Sequence, residues 1–143
     1  MKKIIQLSLF ILLSLFARNS YAQGAEMEIR KMLQLQQEAW NAGDIPAYMS
    51  GYWQHDSLAF IGGSKTTYGW KPVLDRYLKS YPDKATMGEL TFSELSIHPL
   101  SKGEYFAIGK WHLSRNKGDV GGSFHLLYRN IKGKWLIVMD YTN

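Results

Sequence analysis

Cysteine is absent from the 143 residues of the chain. The protein therefore has no disulfide framework, no thiolate zinc site, no iron–sulfur cluster and no cysteine nucleophile. The four histidines form neither a His-Glu-x-x-His motif nor any other ligand-like spacing. We expect neither a metal ion nor a cofactor.

Long apolar runs are scarce, and the only one spans Ile4 to Phe16. It follows a short basic segment and precedes Ser20-Tyr21-Ala22, whose small residues fit a cleavage site before Gln23. This pattern predicts a signal peptide over residues 1–22 and a secreted or periplasmic domain over residues 23–143. A retained membrane anchor is the alternative, but the run is too short to span a bilayer comfortably.

Extended basic stretches are lacking as well, although the formal net charge is +5. Cleavage after Ala22 removes three of the 17 basic residues and none of the 12 acidic ones, which leaves +2 on 121 of the 143 residues. A phosphate backbone needs a basic stripe or patch to bind. Nucleic acid is therefore not an expected partner.

Helical spacing dominates the first part of the predicted domain. Apolar residues recur at three- and four-residue intervals from Glu26 to Ala42, and a third helix is predicted from Pro72 to Tyr81. Between them, Gly43 suits a helix C-terminus and Asp44 suits the N-cap of a short second helix. The sequence predicts a tight corner between the first two helices.

Alternation of period two dominates the rest. A first strand is predicted over Ser57 to Ile61, followed by a polar loop. Four consecutive strands are then predicted at hairpin spacing: Leu90 to His98, Glu104 to Ser114, Gly122 to Ile131 and Trp135 to Tyr141. This order predicts a single α+β domain with a mostly antiparallel sheet and three helices packed on one face.

The order of elements, the Asn41-to-Asp44 corner and the last residues resemble a known superfamily. The segment from Gly133 to Asn143, with Trp135 and Asp140, is similar to the end of SnoaL-like and DUF4440 domains of the NTF2-like superfamily. Tyr141 and Asn143 stand where histidine and serine are commoner. The resemblance implies a cone in which a curved sheet encloses a pocket. Such pockets serve isomerases, dehydratases, cyclases, hydrolases and proteins without catalytic activity.

Comparison with the ketosteroid isomerases of this superfamily excludes one mechanism. The places of their catalytic tyrosine and aspartate fall near Gln36 and Ile61, and neither residue can perform those roles. The resemblance still implies that Gln36 faces the pocket. Gln36 is therefore a candidate ligand-binding residue, but steroid isomerisation is not expected.

The last hairpin suggests a catalytic pair. If Lys132-Gly133 is a two-residue turn, counting back along both strands places His125 opposite Asp140. A carboxylate beside an imidazole orients it and raises its pKa, which produces a general acid or base. His125 and Asp140 are thus the candidate catalytic residues, and a structural cross-strand pair is the alternative.

The face on which this pair lies is left open by two conflicting arguments. The more apolar face carries Phe124, Leu126 and Tyr128, which directs His125 and Asp140 away from the helices. Comparison with the ketosteroid isomerases implies instead that the face carrying His125 points into the pocket. A bulge near Gly118 to Gly122 would reverse the alternation and reconcile them.

Several aromatic residues are candidates for the pocket wall, with structural core as the alternative for each. The candidates are Tyr52, Trp53, Tyr68, Trp70, Trp111 and Tyr128. Of these, we predict that Trp53, Tyr68, Trp111 and Tyr128 contact a ligand.

The function that we expect is the binding of a small apolar or aromatic molecule. One alternative is a cofactor-free enzyme of isomerase, dehydratase or hydrolase type that transfers protons through the His125–Asp140 pair. Another is a protein-interaction module without a ligand. Both faces of the last strands carry large apolar residues, so a homodimer through the outer face is also expected.

Overall fold

The structure is a computed structural model that describes residues 23–143. The predicted signal peptide, residues 1–22, lies outside the described residues. Four α-helices occur in this range: α1 over residues 23–41, α2 over Ile45–Tyr48, α3 over Trp70–Ser80 and α4 over Lys84–Met87. None of them is both long enough and apolar enough to cross a membrane.

The corner between the first two helices is confirmed. Gly43 has a φ of 82°, in the left-handed region that favours glycine. The Asp44 side chain accepts a hydrogen bond of 2.8 Å from the amide of Ala47 and so caps α2. A 3-10 turn, Met49–Gly51, follows α2 directly. The segment that follows the corner places two tyrosines, Tyr48 and Tyr52, in the core.

Within residues 23–143, six strands form one sheet in the order β2-β1-β6-β5-β4-β3. Only β1 and β6 are parallel, so the predicted, mostly antiparallel sheet is confirmed. The strands are β1 Ala59–Gly62, β2 Lys65–Tyr68, β3 Glu89–Ser101, β4 Glu104–Ser114, β5 Val120–Ile131 and β6 Lys134–Thr142.

Two short elements differ from the prediction. Residues Lys65–Tyr68, predicted as a polar loop, form edge strand β2 against β1, and Lys84–Met87 form the unpredicted α4. Both are only four residues long, and the side chains of β2 are mostly exposed. Such elements depend on a neighbour rather than on their own periodicity.

A β-bulge in β6 decides which residues face the helices. The predicted hairpin register holds from Ile131 and Lys134 to Tyr128 and Ile137. Leu127 then pairs with Met139, which leaves one extra residue, Val138, in β6. Because successive side chains of a strand point to opposite faces, this insertion reverses the alternation beyond it.

The predicted pairing of His125 with Asp140 is therefore wrong. Beyond the bulge Leu126 pairs with Asp140, and His125 pairs with Tyr141. Asp140 lies on the helix-covered face and is 4% exposed. His125 lies on the outer face, where its ring contacts those of Phe106 and Tyr141. The possible bulge near Gly118 to Gly122 does not occur, since β4 and β5 pair without a register shift.

Candidate functional site

A cavity of about 300 Å³ lies between the inner face of the sheet and the helices. Its wall is mostly apolar and rich in aromatic rings, which come from α1, the α2 segment, α3 and four strands. Six of these rings belong to Trp40, Tyr48, Phe60, Tyr77, Phe92 and Phe124. The volume is at the lower end of the roughly 300–1,000 Å³ of small-molecule sites. It suits a molecule with one or two rings.

Among the described residues, Asp140 is the one acidic side chain in the cavity wall. Its Oδ2 accepts a hydrogen bond of 2.7 Å from the hydroxyl of Tyr52, whereas Oδ1 accepts none from the described residues. Burial raises the pKa of Asp140 from its ordinary 3.8 to about 7, and the Tyr52 hydrogen bond opposes this rise. Near neutral pH the carboxyl group can therefore accept or release a proton.

Tyrosines surround this carboxyl group. The hydroxyls of Tyr48 and Tyr52 are 3.4 Å apart, and burial, with the charge of Asp140, raises the pKa of Tyr48 to about 12. The pKa values of Tyr52, Tyr77 and Tyr128 are also well above 10, chiefly because of burial. All four phenols stay protonated at physiological pH. Asp140 is thus the group of this cluster that changes charge there.

Three buried polar atoms of the cavity-lining residues have no hydrogen-bond partner among the described residues: Gln36 Oε1, Trp111 Nε1 and Asp140 Oδ1. The Gln36 side chain is fixed from its other end, since Nε2 donates to the carbonyl of Tyr48 over 3.0 Å. A buried polar atom without a partner is destabilising by about 1–3 kcal/mol. Each such atom in a native structure requires an explanation, and a bound ligand that completes its hydrogen bonding is one.

Arg76 of α3 lies in the wall near the exposed end of the cavity. Its Cζ is 4.8 Å from the centroid of the Phe60 ring, and Nη1 donates to Thr67 Oγ1 over 3.1 Å. Ser80 and Asn143, both exposed, line the same end. The cavity thus has a carboxyl group at its buried end and a cation at its mouth. Residues 23–143 contain no group of three or more side chains that could hold a metal ion.

The fold has a counterpart among solved structures. An NTF-2-like protein of unknown function from Shewanella oneidensis is 41% identical to this chain, with a TM-score of 0.79. The match covers 82% of this chain and 98% of that one. The chain belongs to the NTF2-like family.

More distant NTF2-like structures show the same fold. One of unknown function from Pseudomonas putida is 17% identical, with a TM-score of 0.69, and covers 85% of this chain and 87% of that chain. A putative scytalone dehydratase from Novosphingobium aromaticivorans is 8% identical, with a TM-score of 0.72 and 87% coverage of both chains. No protein-family model and no curated protein matches. Membership of the SnoaL-like or DUF4440 branch stays a prediction.

The NTF2-like domain brings together only part of the predicted binding set. Gln36 and Trp111 lie in the cavity wall. Tyr128 is fully buried, and its hydroxyl has no partner among the described residues. Trp53 stacks on His55 outside the cavity wall, and Tyr68 is 67% exposed on β2. A ligand-binding role for any of the five stays a prediction.

Tyr52, a candidate for the pocket wall by sequence, lines the cavity, but nothing in the sequence connects it to Asp140, 88 positions away. Other residues of the site escaped the sequence analysis. Phe60 reaches the cavity through the parallel pairing of β1 with β6. Arg76 lies beside the apolar stripe of its helix, as surface cations ordinarily do. No local pattern distinguishes it from the other surface cations.

Proposed function

We propose that this NTF2-like domain binds a small, mostly apolar or aromatic molecule in the cavity between its sheet and helices. One observation carries the proposal: the unpartnered atoms Gln36 Oε1, Trp111 Nε1 and Asp140 Oδ1 belong to residues of a single, largely aromatic cavity wall. The aromatic wall supplies apolar contact, and the few polar atoms orient the ligand. The same observation disfavours an interaction module in which this space is only core.

The donor and acceptor types restrict the ligand. Trp111 Nε1 can only donate, so it suits a hydroxyl, ether or carbonyl oxygen. Gln36 Oε1 and ionised Asp140 accept, so they suit a hydroxyl or an N–H group. A ring compound with one or two oxygen substituents meets both requirements.

We propose as the second candidate a cofactor-free enzyme that transfers protons through Asp140. The pKa of about 7 supports it, because a general acid or base is most effective near the working pH. The 2.7 Å hydrogen bond from Tyr52 fixes one carboxyl oxygen and leaves the other for a substrate. In this proposal, His125 takes no part in the proton transfer. The putative scytalone dehydratase of the same fold is an analogy only.

Binding of 2-naphthol, measured by isothermal titration calorimetry, tests the first candidate. We expect Trp111→Phe to weaken binding by about 2- to 10-fold, since it removes one hydrogen bond of about 0.5–1.5 kcal/mol and keeps an aromatic ring. Trp53→Phe is the matched control, because Trp53 lies outside the cavity wall, and it should leave the affinity unchanged. Failure of phenol, indole and 2-naphthol to bind, or equal affinity in all three proteins, contradicts the proposal.

Turnover separates the two candidates. The wild-type protein and Asp140→Asn are each incubated with the small-molecule extract of the producing cell, and the mixtures are compared by mass spectrometry. A compound consumed only by the wild type supports the enzyme. A compound retained by the protein and recovered unchanged supports the binding protein.

We also propose that the protein is exported and forms a homodimer. The outer face of the sheet carries half-buried Phe106, Ile108, Leu127 and Leu136, and the bulge adds Met139 to it. Monomeric proteins rarely leave such a contiguous apolar patch uncovered. Protein recovered outside the cytoplasm should begin at Gln23 by intact mass, and it should sediment at micromolar concentration with twice that mass.

Charge substitutions check the face through which the copies associate. Leu127→Asp, in the middle of the outer face, should produce a monomer. Leu100→Asp is the control, since Leu100 is an exposed apolar residue near the end of edge strand β3 and is not part of this patch. A monomeric wild type contradicts the dimer, and an intact Met1 on the recovered protein contradicts export.

A further inference from the structure

Arg76 has the donors and the position of an anion-binding residue at the mouth of the cavity. Its guanidinium offers five N–H donors. Its one hydrogen bond among the described side chains is the bond from Nη1 to Thr67. Arg30 and Arg129, by contrast, each pair with a glutamate. No carboxylate of residues 23–143 forms an ion pair with Arg76.

Gly62 allows the guanidinium to lie against strand β1. A Cβ atom at position 62 would be 2.6 Å from Arg76 Nη2, which is too close for two non-bonded atoms. Any larger residue at this position would displace the guanidinium from the cavity wall. The cation–π contact with the Phe60 ring also stabilises the position of the Arg76 guanidinium.

The sheet register gives the separation between this cation and Asp140. In the parallel pairing of β1 and β6, Phe60 is opposite Asp140 and Gly62 is opposite Thr142. Two residues along a strand advance about 6.6 Å. The Arg76 guanidinium lies against Gly62, so it is about 7 Å nearer the mouth of the cavity than the Asp140 carboxyl group. Aromatic residues of the wall lie between the two groups. A para-substituted benzene ring that lies parallel to the strands can therefore place one substituent beside each of the two groups.

We infer that the cavity takes a small aromatic carboxylic acid, whose carboxylate pairs with Arg76 at the mouth and whose opposite polar substituent reaches Asp140. This inference rests on the proposed binding function and names its ligand class. The planar guanidinium favours a carboxylate, because two parallel N–H groups can bind its two oxygens. Asp140 in its protonated state places no second negative charge opposite the ligand.

The test compares two probes that differ in charge but hardly in shape, 4-hydroxyphenylacetate and 4-hydroxyphenylacetamide, with 2-naphthol as the neutral reference. Calorimetry at pH 6.5 should give at least tenfold tighter binding of the acid to the wild-type protein. Arg76→Met should remove this preference, because the acid loses a charge-assisted pair with the guanidinium, whereas the amide loses at most one hydrogen bond. Gly62→Val should act in the same direction, because it displaces the guanidinium and keeps its charge.

Lys79→Met is the control for a general change of charge. Lys79 lies on the same helix but outside the cavity wall, so the preference for the acid should persist. Equal binding of acid and amide by the wild type overturns the inference alone, provided 2-naphthol binds. Equal weakening of both probes by Arg76→Met also overturns it, since Arg76 then serves only to pack on Phe60. If no probe binds, the proposed function fails together with the inference.

Discussion

Asp140→Asn is expected to stabilise the protein at pH 8, by up to about 4 kcal/mol. The carboxyl group has a pKa of about 7 in the folded protein against 3.8 ordinarily, and each pKa unit corresponds to about 1.4 kcal/mol. The unfolded chain releases this proton more readily, so Asp140 destabilises the fold increasingly as pH rises from about 4 to 7. Asparagine keeps an oxygen that can accept the Tyr52 hydrogen bond and carries no charge. The unpartnered amide hydrogens of asparagine make 4 kcal/mol an upper limit.

Urea unfolding of both proteins at pH 4, 6 and 8 measures this effect. The difference in free energy of unfolding should be smallest at pH 4 and largest at pH 8. Asp75→Asn is the control, because Asp75 is exposed and pairs with Lys71 on the surface, where an ion pair contributes about 0–1 kcal/mol. A wild type whose stability does not fall relative to Asp140→Asn between pH 4 and pH 8 would show that Asp140 has an ordinary pKa.

Tyr52→Phe is expected to destabilise the protein by about 1.5–3 kcal/mol at pH 8 and by less at pH 5. Phenylalanine keeps the buried ring and removes the hydroxyl that donates to Asp140. Hydrogen bonds to charged groups contribute about 1.5–3 kcal/mol, against about 0.5–1.5 kcal/mol for neutral ones, and Asp140 is mostly charged only at the higher pH. The same loss should raise the pKa of Asp140 above 7, which carboxyl NMR titration measures directly.

Two further variants test whether the pH dependence comes from the hydrogen bond between Tyr52 and Asp140. Tyr48→Phe removes a hydroxyl that lies 3.4 Å from that of Tyr52 and is not bonded to Asp140, so its cost should depend little on pH. In the Asp140→Asn background, the cost of Tyr52→Phe should lose its dependence on pH. A pH-independent cost in the wild-type background means that the Tyr52–Asp140 bond does not control the charge of the site.

The sequence predicts the elements whose signals are local. The corner at Gly43 and Asp44 requires only a left-handed glycine and a capping carboxylate. Strand β4, Glu104–Ser114, has the predicted bounds because two polar turns flank a long alternating run. The Lys132-Gly133 turn has positive φ at both residues, as a tight hairpin requires, so the register near it was predictable.

The candidate site depends on tertiary structure, for a reason that one residue illustrates. In the sequence, Val138 is an ordinary strand residue, and no neighbouring residue indicates a bulge. Its insertion nevertheless moves Asp140 from the outer face of the sheet into the cavity. A pattern of period two carries no warning of such a shift, because one extra residue exchanges the two faces for everything beyond it. The correct prediction of the turn therefore led to the wrong partner for His125.

The partners of Asp140 are equally non-local. Tyr52 reaches it across 88 positions, and Phe60 lies beside it only because β1 adds to β6 in parallel. Such contacts form when packing of the helices on the sheet outweighs the entropy of closing long loops, and no spacing rule within one segment records them. The sequence by itself determined the α+β class, the corner and five of the six strands that the structure describes. Tertiary packing alone placed a buried carboxyl group and a mouth cation in one aromatic cavity.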